Sequence, residues 1–292
     1  MFCADKGGIS RISKSLISFR SLPTVEMTKT FIICYIYLLF NTLGSSSLML
    51  HKTKGIVLRQ VQYGETSCII TVFTELFGIQ SYIVNGVRTH SKTGNKAVYF
   101  QPACILDLVV YHNTLKNLQR IKEFKFFYLY TSILNNVYKN AVALYMIELL
   151  HKCLKQPESN AVLYHNIEKA FLDLDKANAT QTANYSLYYT MALANWLGFG
   201  LNGTYTNQTS TIDLLEGKFT KTIPAHGHYI EEELSSITYQ LLQATSLDDI
   251  GAVQLSKSKR QELLQAYEAF FVYHISDFTS LRSLPVLYTL FG

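Results

Sequence analysis

The stretch His51-Lys-Thr-Lys-Gly-Ile-Val-Leu-Arg-Gln-Val61, followed by Gln62-Tyr-Gly-Glu65, has the composition of a β-strand that ends in a turn. Four further short segments rich in β-branched and aromatic residues follow it, separated by Gly, Asn and Thr. This spacing is typical of a small closed or partly open barrel rather than of alternating strands and helices. Five strands fit an oligonucleotide-binding (OB) barrel. The predicted strands are 51–61, 67–74, 79–84, 104–111 and 118–126.

Charge is distributed unevenly along the chain. Residues 50–125 contain ten Lys and Arg against four Asp and Glu, a net charge of +6, whereas residues 126–292 contain eleven against fifteen, a net charge of −4. A basic module beside an acidic remainder is typical of a protein that binds nucleic acid through that module. The bases of the module are therefore candidate DNA contacts: Lys52, Lys54, Arg59, Arg88, Lys92, Lys96, Lys116, Arg120, Lys122 and Lys125.

Two parts of this module concentrate the bases. The loop 85–96 holds three of them among Gly, Asn and hydroxyl residues, a composition that can follow the phosphate backbone of a single strand. The alternative for this loop is an ordinary solvated hairpin connection. On the fifth strand, simple alternation predicts that Arg120, Lys122 and Phe124 share one side.

From Phe127 the apolar period changes from two to between three and four, which predicts helices. The first should run for about 25 residues and end before Pro157. Ser258 and Gln261 have capping-box spacing at the start of a later helix. A weak hairpin, 210–215 against 218–223, is expected within the irregular connector 198–229. Further helices are predicted at 158–174, 184–197, 231–242 and 258–276, and the apolar residues 281–291 should pack against them.

The predicted fold class is therefore α+β, with an OB barrel at 49–128 and a helical domain at 129–292. Residues 1–48 do not match this plan. Their ten-residue apolar run at 31–40 is too short to span a membrane, which takes about 20 residues. From Met27 onward the segment imitates a secretory signal, but export would separate a DNA-binding module from DNA. We expect translation to start at Met49, with 1–48 a non-native or poorly ordered extension.

The chain resembles the RecO family of bacterial recombination mediators over about residues 50–290. The resemblance is carried by the order and spacing of several short motifs. These are Gly55-Ile-Val-Leu-Arg59, Tyr63-Gly-Glu65, Ile69-Ile-Thr-Val-Phe-Thr-Glu75, Gly78, Asn85-Gly-Val-Arg88, Gln101-Pro102 and Leu281-Arg-Ser-Leu284 with Val286-Leu287.

The resemblance implies a cytoplasmic, nucleoid-associated DNA repair and recombination mediator. Such a protein binds single-stranded DNA, and duplex DNA more weakly, and anneals complementary strands. It works with RecR and helps to load RecA onto strands covered by single-strand-binding protein. The resemblance also implies that the helical domain receives the acidic, apolar-ended tail of single-strand-binding protein. The bases near the end of the chain that could meet this tail are Lys257, Lys259, Arg260 and Arg282.

Many RecO relatives carry a four-cysteine zinc site after the helix that corresponds to 184–197. This chain has five cysteines, none of them in a C-x-x-C pair and none after Cys153. His226 and His228 are two histidines without a cysteine or carboxylate at ligand spacing. We therefore expect no metal and no other cofactor.

The sequence contains no phosphate-binding loop, nucleophile elbow or H-E-x-x-H motif. The chain is therefore not expected to be an enzyme. Two alternatives stay open from sequence: a protein–protein adaptor whose barrel is purely structural, and an exported or membrane-tethered protein that uses residues 27–47.

Overall fold

The computed structural model describes residues 49–87 and 96–291. The extension 1–48 and the loop bases Arg88 and Lys92 lie outside these residues. The N-terminal part is a closed five-stranded barrel in the order β1-β2-β3-β5-β4, in which β3 and β5 are parallel and the other neighbours antiparallel. The predicted barrel is confirmed, with strand bounds close to those expected. They are β1 Met49–Tyr63, β2 Ser67–Thr74, β3 Gly78–Val84, β4 Ile105–His112 and β5 Leu118–Phe126.

The barrel interior is built by the two-residue period of its strands. Ile70 and Val72 of β2 and Tyr82 of β3 are completely buried there. Phe100, at the end of a 3-10 helix (Lys96–Phe100), packs into the same core, with its ring 4.8 Å from that of Phe124. Alternate residues of these strands therefore point outward, toward solvent or toward the helices.

A β-bulge on β5 makes one sequence prediction wrong. Val110 pairs with Ile121 but Val109 pairs with Glu123, so Lys122 is an extra residue on β5. Because the bulge shifts the alternation by one residue, Phe124 packs in the barrel core rather than beside Arg120 and Lys122 on the outer side. The bulge therefore overrides the simple two-residue period of β5.

The remaining described residues form seven helices and a small three-stranded antiparallel sheet. In that sheet β6 lies between β7 and β8, so the predicted hairpin is confirmed and gains a third strand. The strands are β6 Thr211–Asp213, β7 Lys218–Thr220 and β8 Tyr229–Ile230. The helices are α1 Val137–Cys153, α2 Ala161–Lys176, α3 Ala179–Trp196, α4 Glu232–Gln243, α5 Leu247–Ala252, α6 Lys257–His274 and α7 Leu284–Phe291.

The first helix begins later than the apolar period predicts. Asn136 is its N-cap, and the Asn136 side chain accepts hydrogen bonds from the backbone N–H groups of Tyr138 and Lys139. The preceding segment is held in a non-helical path because the Asp175 carboxylate accepts from the N–H groups of residues 131–133. A partner more than 40 residues away in sequence thus sets this boundary.

The later helices also differ from expectation, and α3 begins five residues earlier than predicted, after its N-cap Asn178. The N-cap of α6 is Ser256, which accepts from the N–H of Lys259, and not Ser258. The short helix α5 is absent from the prediction, although Ser246 and Asp249 form a complete capping box there. The capping box is visible in the sequence, but the apolar stretch that follows it is only a few residues long.

From Met49 onward the chain forms one compact unit. The outside of the barrel near Phe73 packs against α2, with the Phe73 and Tyr164 rings 5.6 Å apart. Gly78 lies so close to the loop before α2 that an added Cβ would be 2.1 Å from the Glu158 carbonyl oxygen. One outer side of the barrel therefore shares a hydrophobic cluster with the helices, while the barrel interior forms a cluster of its own.

At the other end of the chain, α7 packs through Leu284 and Leu287, as the apolar composition predicts. Glu148 of α1 secures its start by accepting hydrogen bonds from the Ser283 N–H and hydroxyl, both within 2.8 Å. None of the helices in the described part of the chain is long and apolar enough to cross a membrane.

Candidate nucleic-acid interface

One outer side of the barrel is defined by the register of β1, β2, β3 and β5. Residues that pair across neighbouring strands point to the same side of a sheet. Arg59 pairs with Thr71, Thr71 with Ser81, and Ser81 with Leu118. This first row crosses four strands, and Arg59 and Leu118 at its ends are exposed.

A second row runs parallel to the first. Val61 pairs with Ile69, Ile69 with Ile83, and Ile83 with Arg120. Tyr63, at the end of β1, is 53% exposed on the same side. We call the two rows with Tyr63 the outer face. It places two arginines around apolar and aromatic side chains, a combination that can contact phosphates and the flat surfaces of bases together.

The bases on the opposite side of the barrel are partnered by acids. Lys54 Nζ lies 2.7 Å from Glu168 of α2, and Lys125 Nζ lies 3.3 Å from Asp107. Lys54 therefore joins the barrel to the helices, and we do not place it in a DNA-binding surface. Lys52 lines the same groove, of about 530 Å³, together with Glu75 and Glu123. Acids and bases balance along this groove, which makes it a poor site for a polyanion.

The other predicted DNA contacts differ in their surroundings. Lys122 is exposed at the bulge, 3.6 Å from Glu123. Lys116, in the β4–β5 loop, is exposed and makes no ion pair within the described residues, and the same is true of Arg59 and Arg120. Lys96 begins the 3-10 helix and is half-buried. The structure thus places Arg59 and Arg120 at opposite edges of the outer face and separates both from Lys52, Lys54 and Lys125.

The four bases considered for partner binding fall into three environments. Lys257 and Arg260 border a shallow apolar depression formed by α6 and α7. Arg260 is half-buried and donates to Asn184 Oδ1 at 3.2 Å, and burial lowers its pKa. Lys259 pairs with Glu233. Arg282 precedes α7, at the end of that helix opposite the depression.

The connector between α3 and α4 is held together by contacts of its histidines. His226 Nε2 lies 3.2 Å from Asp213 Oδ2, and Tyr273 Oη lies 2.9 Å from His228 Nδ1. The described residues contain no group of three or more His, Cys, Asp or Glu arranged to hold a metal ion. The cysteines among these residues are Cys68, Cys104 and Cys153, which are remote from one another in sequence, so the described part of the chain does not fit a four-thiolate zinc site.

Sequence reasoning missed a polar end of the barrel. The His112 ring at the end of β4 stacks on Phe77, with centroids 3.9 Å apart, and His51 contacts both rings edge-on. His112 lines a second cleft, of about 620 Å³, between the barrel and the end of α1. No local pattern marks these residues because they come from three separate segments of the chain.

Comparison with known proteins gives matches over nearly all of the described chain. Residues 49–130 match the family described as Recombination protein O N terminal, and residues 134–285 match Recombination protein O C terminal. The chain is 31% identical to the DNA repair protein RecO of Bacteroides fragilis (strain YCH46) over 244 residues, which cover 83% of this chain and 100% of that protein.

Two other relatives agree with this assignment. The DNA repair protein RecO of Azobacteroides pseudotrichonymphae genomovar. CFP2 is 29% identical over 243 residues, covering 83% of this chain and 100% of that protein. That of Flavobacterium psychrophilum is 30% identical over 241 residues, covering 82% and 99%. With both halves matched, in the order that the barrel and the helices follow, this chain belongs to the RecO family of DNA repair proteins.

Proposed function

We propose that this protein binds single-stranded DNA on the outer face of its barrel. The observation that supports this most directly is the placement of Arg59 and Arg120. Both are exposed and lie beside the apolar and aromatic residues of the two rows, with no acid in ion-pair contact among the described residues. Phosphates can contact the guanidinium groups while bases pack on Val61 and Tyr63.

Other bases extend this proposed path. Lys116 and Lys122 lie at the β4–β5 loop and the β5 bulge, on either side of Arg120 in the chain. The loop 85–96 leaves the C-terminal end of β3, where Ile83 of the second row is located. Its bases Arg88, Lys92 and Lys96 are proposed to hold the strand against the outer face.

The proposed activity is mediation without covalent catalysis, in the cytoplasm. A basic surface that reduces the repulsion between two phosphate backbones, yet leaves base edges accessible, is sufficient to anneal complementary strands. With RecR as partner, such a surface would bind strands covered by single-strand-binding protein and help RecA to load. Duplex DNA should bind more weakly because its bases cannot reach the apolar residues of the outer face.

For the acidic tail of single-strand-binding protein, we propose the depression between α6 and α7. Leu264, Leu287 and Phe291 supply an apolar floor, and Lys257 supplies a base at its rim. A tail that ends in apolar residues after a run of acids matches this combination. Arg282 and Lys259 lie away from the floor or are paired with an acid, so we leave them out of this site.

The dependence of DNA affinity on salt tests the proposed outer face. Each phosphate contact on a single strand contributes about 0.7 to the slope of log affinity against log salt. Replacing Arg59 and Arg120 by Ala should therefore lower the slope by about 1.4. The measurement is fluorescence anisotropy with labelled oligo(dT) at several salt concentrations.

The matched control replaces Lys176 and Lys221, two exposed bases of the helical half, by Ala. This control changes the net charge equally and should leave the slope unchanged. Equal slopes for the two double variants would contradict the proposed face. A wild-type protein that binds no DNA at any salt concentration would favour the purely structural barrel of an adaptor.

A further inference from the structure

The second cleft connects the outer face to the helical half of the molecule. Thr71 and Ser81, which form the middle of the first row, also line the cleft. Its opposite wall lies at the end of α1 and just after it, and is formed by His151, Leu154, Lys155 and Pro157. A strand lying along the first row would reach this cleft without crossing any other element.

The charges of the cleft favour an anion. Lys116 and Lys155 line it, and none of the described residues that line it is acidic. The groove on the other side of the barrel, of similar size, is lined by Glu75, Asp107 and Glu123. The volume of about 620 Å³ lies within the range of roughly 300–1,000 Å³ that is usual for small-molecule sites.

One acid lies near the bases of the cleft. Lys155 Nζ contacts the Ser276 carbonyl oxygen and is 3.5 Å from Asp277 Oδ2. The Asp277 side chain is 94% exposed, so water screens this ion pair. Burial lowers the pKa of His151, and the nearby Arg59 lowers it further, so Arg59 adds a third base near the opening.

The histidines of the cleft are uncharged hydrogen-bonding groups at neutral pH. Burial lowers the pKa of His112, and His51 lowers it further. The Nδ1 atom of His112 is buried and has no hydrogen-bond partner within the described residues, while stacking on Phe77 fixes the ring. The imidazoles therefore leave the positive charge of the cleft to Lys116 and Lys155.

We propose that the cleft holds one nucleotide of a bound single strand, with its phosphate between Lys116 and Lys155. Asn117 and Ser81 supply polar contacts, and Ile79 with Leu154 supplies the apolar surface for the sugar and base. This inference rests on the proposed function, because the strand arrives from the outer face. It assigns part of the DNA path to the helical half, which the charge distribution along the sequence does not indicate.

Two variants test the cleft independently. Lys155→Glu reverses one of its charges, and Thr114→Trp fills it from an exposed loop position that makes no side-chain hydrogen bond within the described residues. One phosphate contact contributes about 0.7 decade at 0.1 M salt, so each variant should bind oligo(dT) at least about five-fold more weakly. Lys221→Glu, at an exposed site far along the chain, is the charge-matched control and should bind as the wild type does.

Ultraviolet crosslinking to oligo(dT) followed by mass spectrometry supplies a readout that does not depend on variants. Crosslinks in residues 112–117 or 151–157 are expected. Wild-type affinity in both folded variants, together with crosslinks confined to β1 and residues 120–126, would overturn the cleft and leave the proposed function intact. Absence of DNA binding by the wild-type protein would instead overturn the proposed function and the cleft together.

Discussion

Asp175 shows how a single buried carboxylate can determine the path of a connecting segment. Its oxygens accept hydrogen bonds from the N–H groups of Thr131, Ser132 and Ile133, at 2.8 to 2.9 Å, and from the hydroxyl of Tyr128 at 3.2 Å. These donors lie in the segment that leads from the barrel to α1. Without the carboxylate, several backbone N–H groups would be buried near an apolar core with no acceptor.

Asp175→Asn should therefore destabilise the protein by about 3 kcal/mol, since the amide offers one acceptor oxygen and directs an NH₂ group at donors. The measurement is urea unfolding at pH 7. Asp173→Asn is the control, because Asp173 is only partly buried and pairs with the exposed Lys169. A loss below about 1 kcal/mol for Asp175→Asn would show that the segment has another anchor.

The same carboxylate should make stability depend on pH. Burial alone would raise the pKa of Asp175, but the hydrogen bonds from Thr131, Ile133 and Ser132 outweigh it and hold the pKa well below its ordinary value. A depressed pKa contributes stability that is present above the unfolded value of about 3.9 and is lost as the pH falls below it. The difference in stability between wild type and Asp175→Asn should therefore shrink below about pH 4.

Among the elements, the strands were predictable from the sequence. Two of the departures from prediction, the β5 bulge and the start of α1, each have a physical cause. The two-residue period of β2 and β3 places Ile70, Val72 and Tyr82 inside the barrel, as their sequence implies. The β5 bulge was not predictable because an extra residue leaves no compositional trace. The start of α1 was missed because Asp175 acts from another helix.

The candidate site was predictable only as a set of bases. Ten basic residues were identifiable from charge alone, but their partners were not. Glu168, which lies 114 positions after Lys54, removes that lysine from the free surface. Arg59, in contrast, is exposed, because the register of β1 and β2 places it on the outer face beside Thr71. Ion pairs and strand register depend on the folded chain, so composition cannot separate binding bases from structural ones.

Two turn glycines provide a matched test of how the barrel is attached to the helices. Gly64 and Gly78 have nearly the same backbone φ, +62° and +61°, in the region that disfavours a side chain. A Cβ at Gly64 would have no atom within 4 Å, whereas at Gly78 it would collide with the backbone of Glu158. A side chain at either position therefore meets the same backbone strain, and only at Gly78 does it also collide with Glu158.

Gly64→Ala should cost about 1 kcal/mol from strain alone. Gly78→Ala should cost at least about 2 kcal/mol more, because the loop before α2 must move away from the β2–β3 turn. Chemical denaturation of both variants gives the comparison. Equal losses would mean that the loop moves freely and that the close approach at Gly78 does not secure the barrel.

In the whole molecule, one outer side of the barrel shares a hydrophobic cluster with the helices. Phe73 of β2 is 1% exposed and lies in the same cluster as Tyr164, Ile167 and the buried side of α1. The ion pair between Lys54 and Glu168 crosses the same boundary. Neither half can bury its share of this surface alone, so the two should unfold in one transition.

Trp196, the single tryptophan of the chain, reports on the helical half, and hydrogen exchange of the β2 and β3 amides reports on the barrel. Phe73→Ala removes a fully buried ring at the boundary and should cost about 3–5 kcal/mol. Although the substitution lies in the barrel, the unfolding transition followed by Trp196 fluorescence should move to a lower urea concentration. The free energy of unfolding that it reports should fall by the same amount. Val162→Ala, at a position 73% exposed on α2, should move neither probe. If barrel amides exchange globally at urea concentrations where Trp196 fluorescence is still native, the two halves unfold separately, and the shared cluster does not couple them.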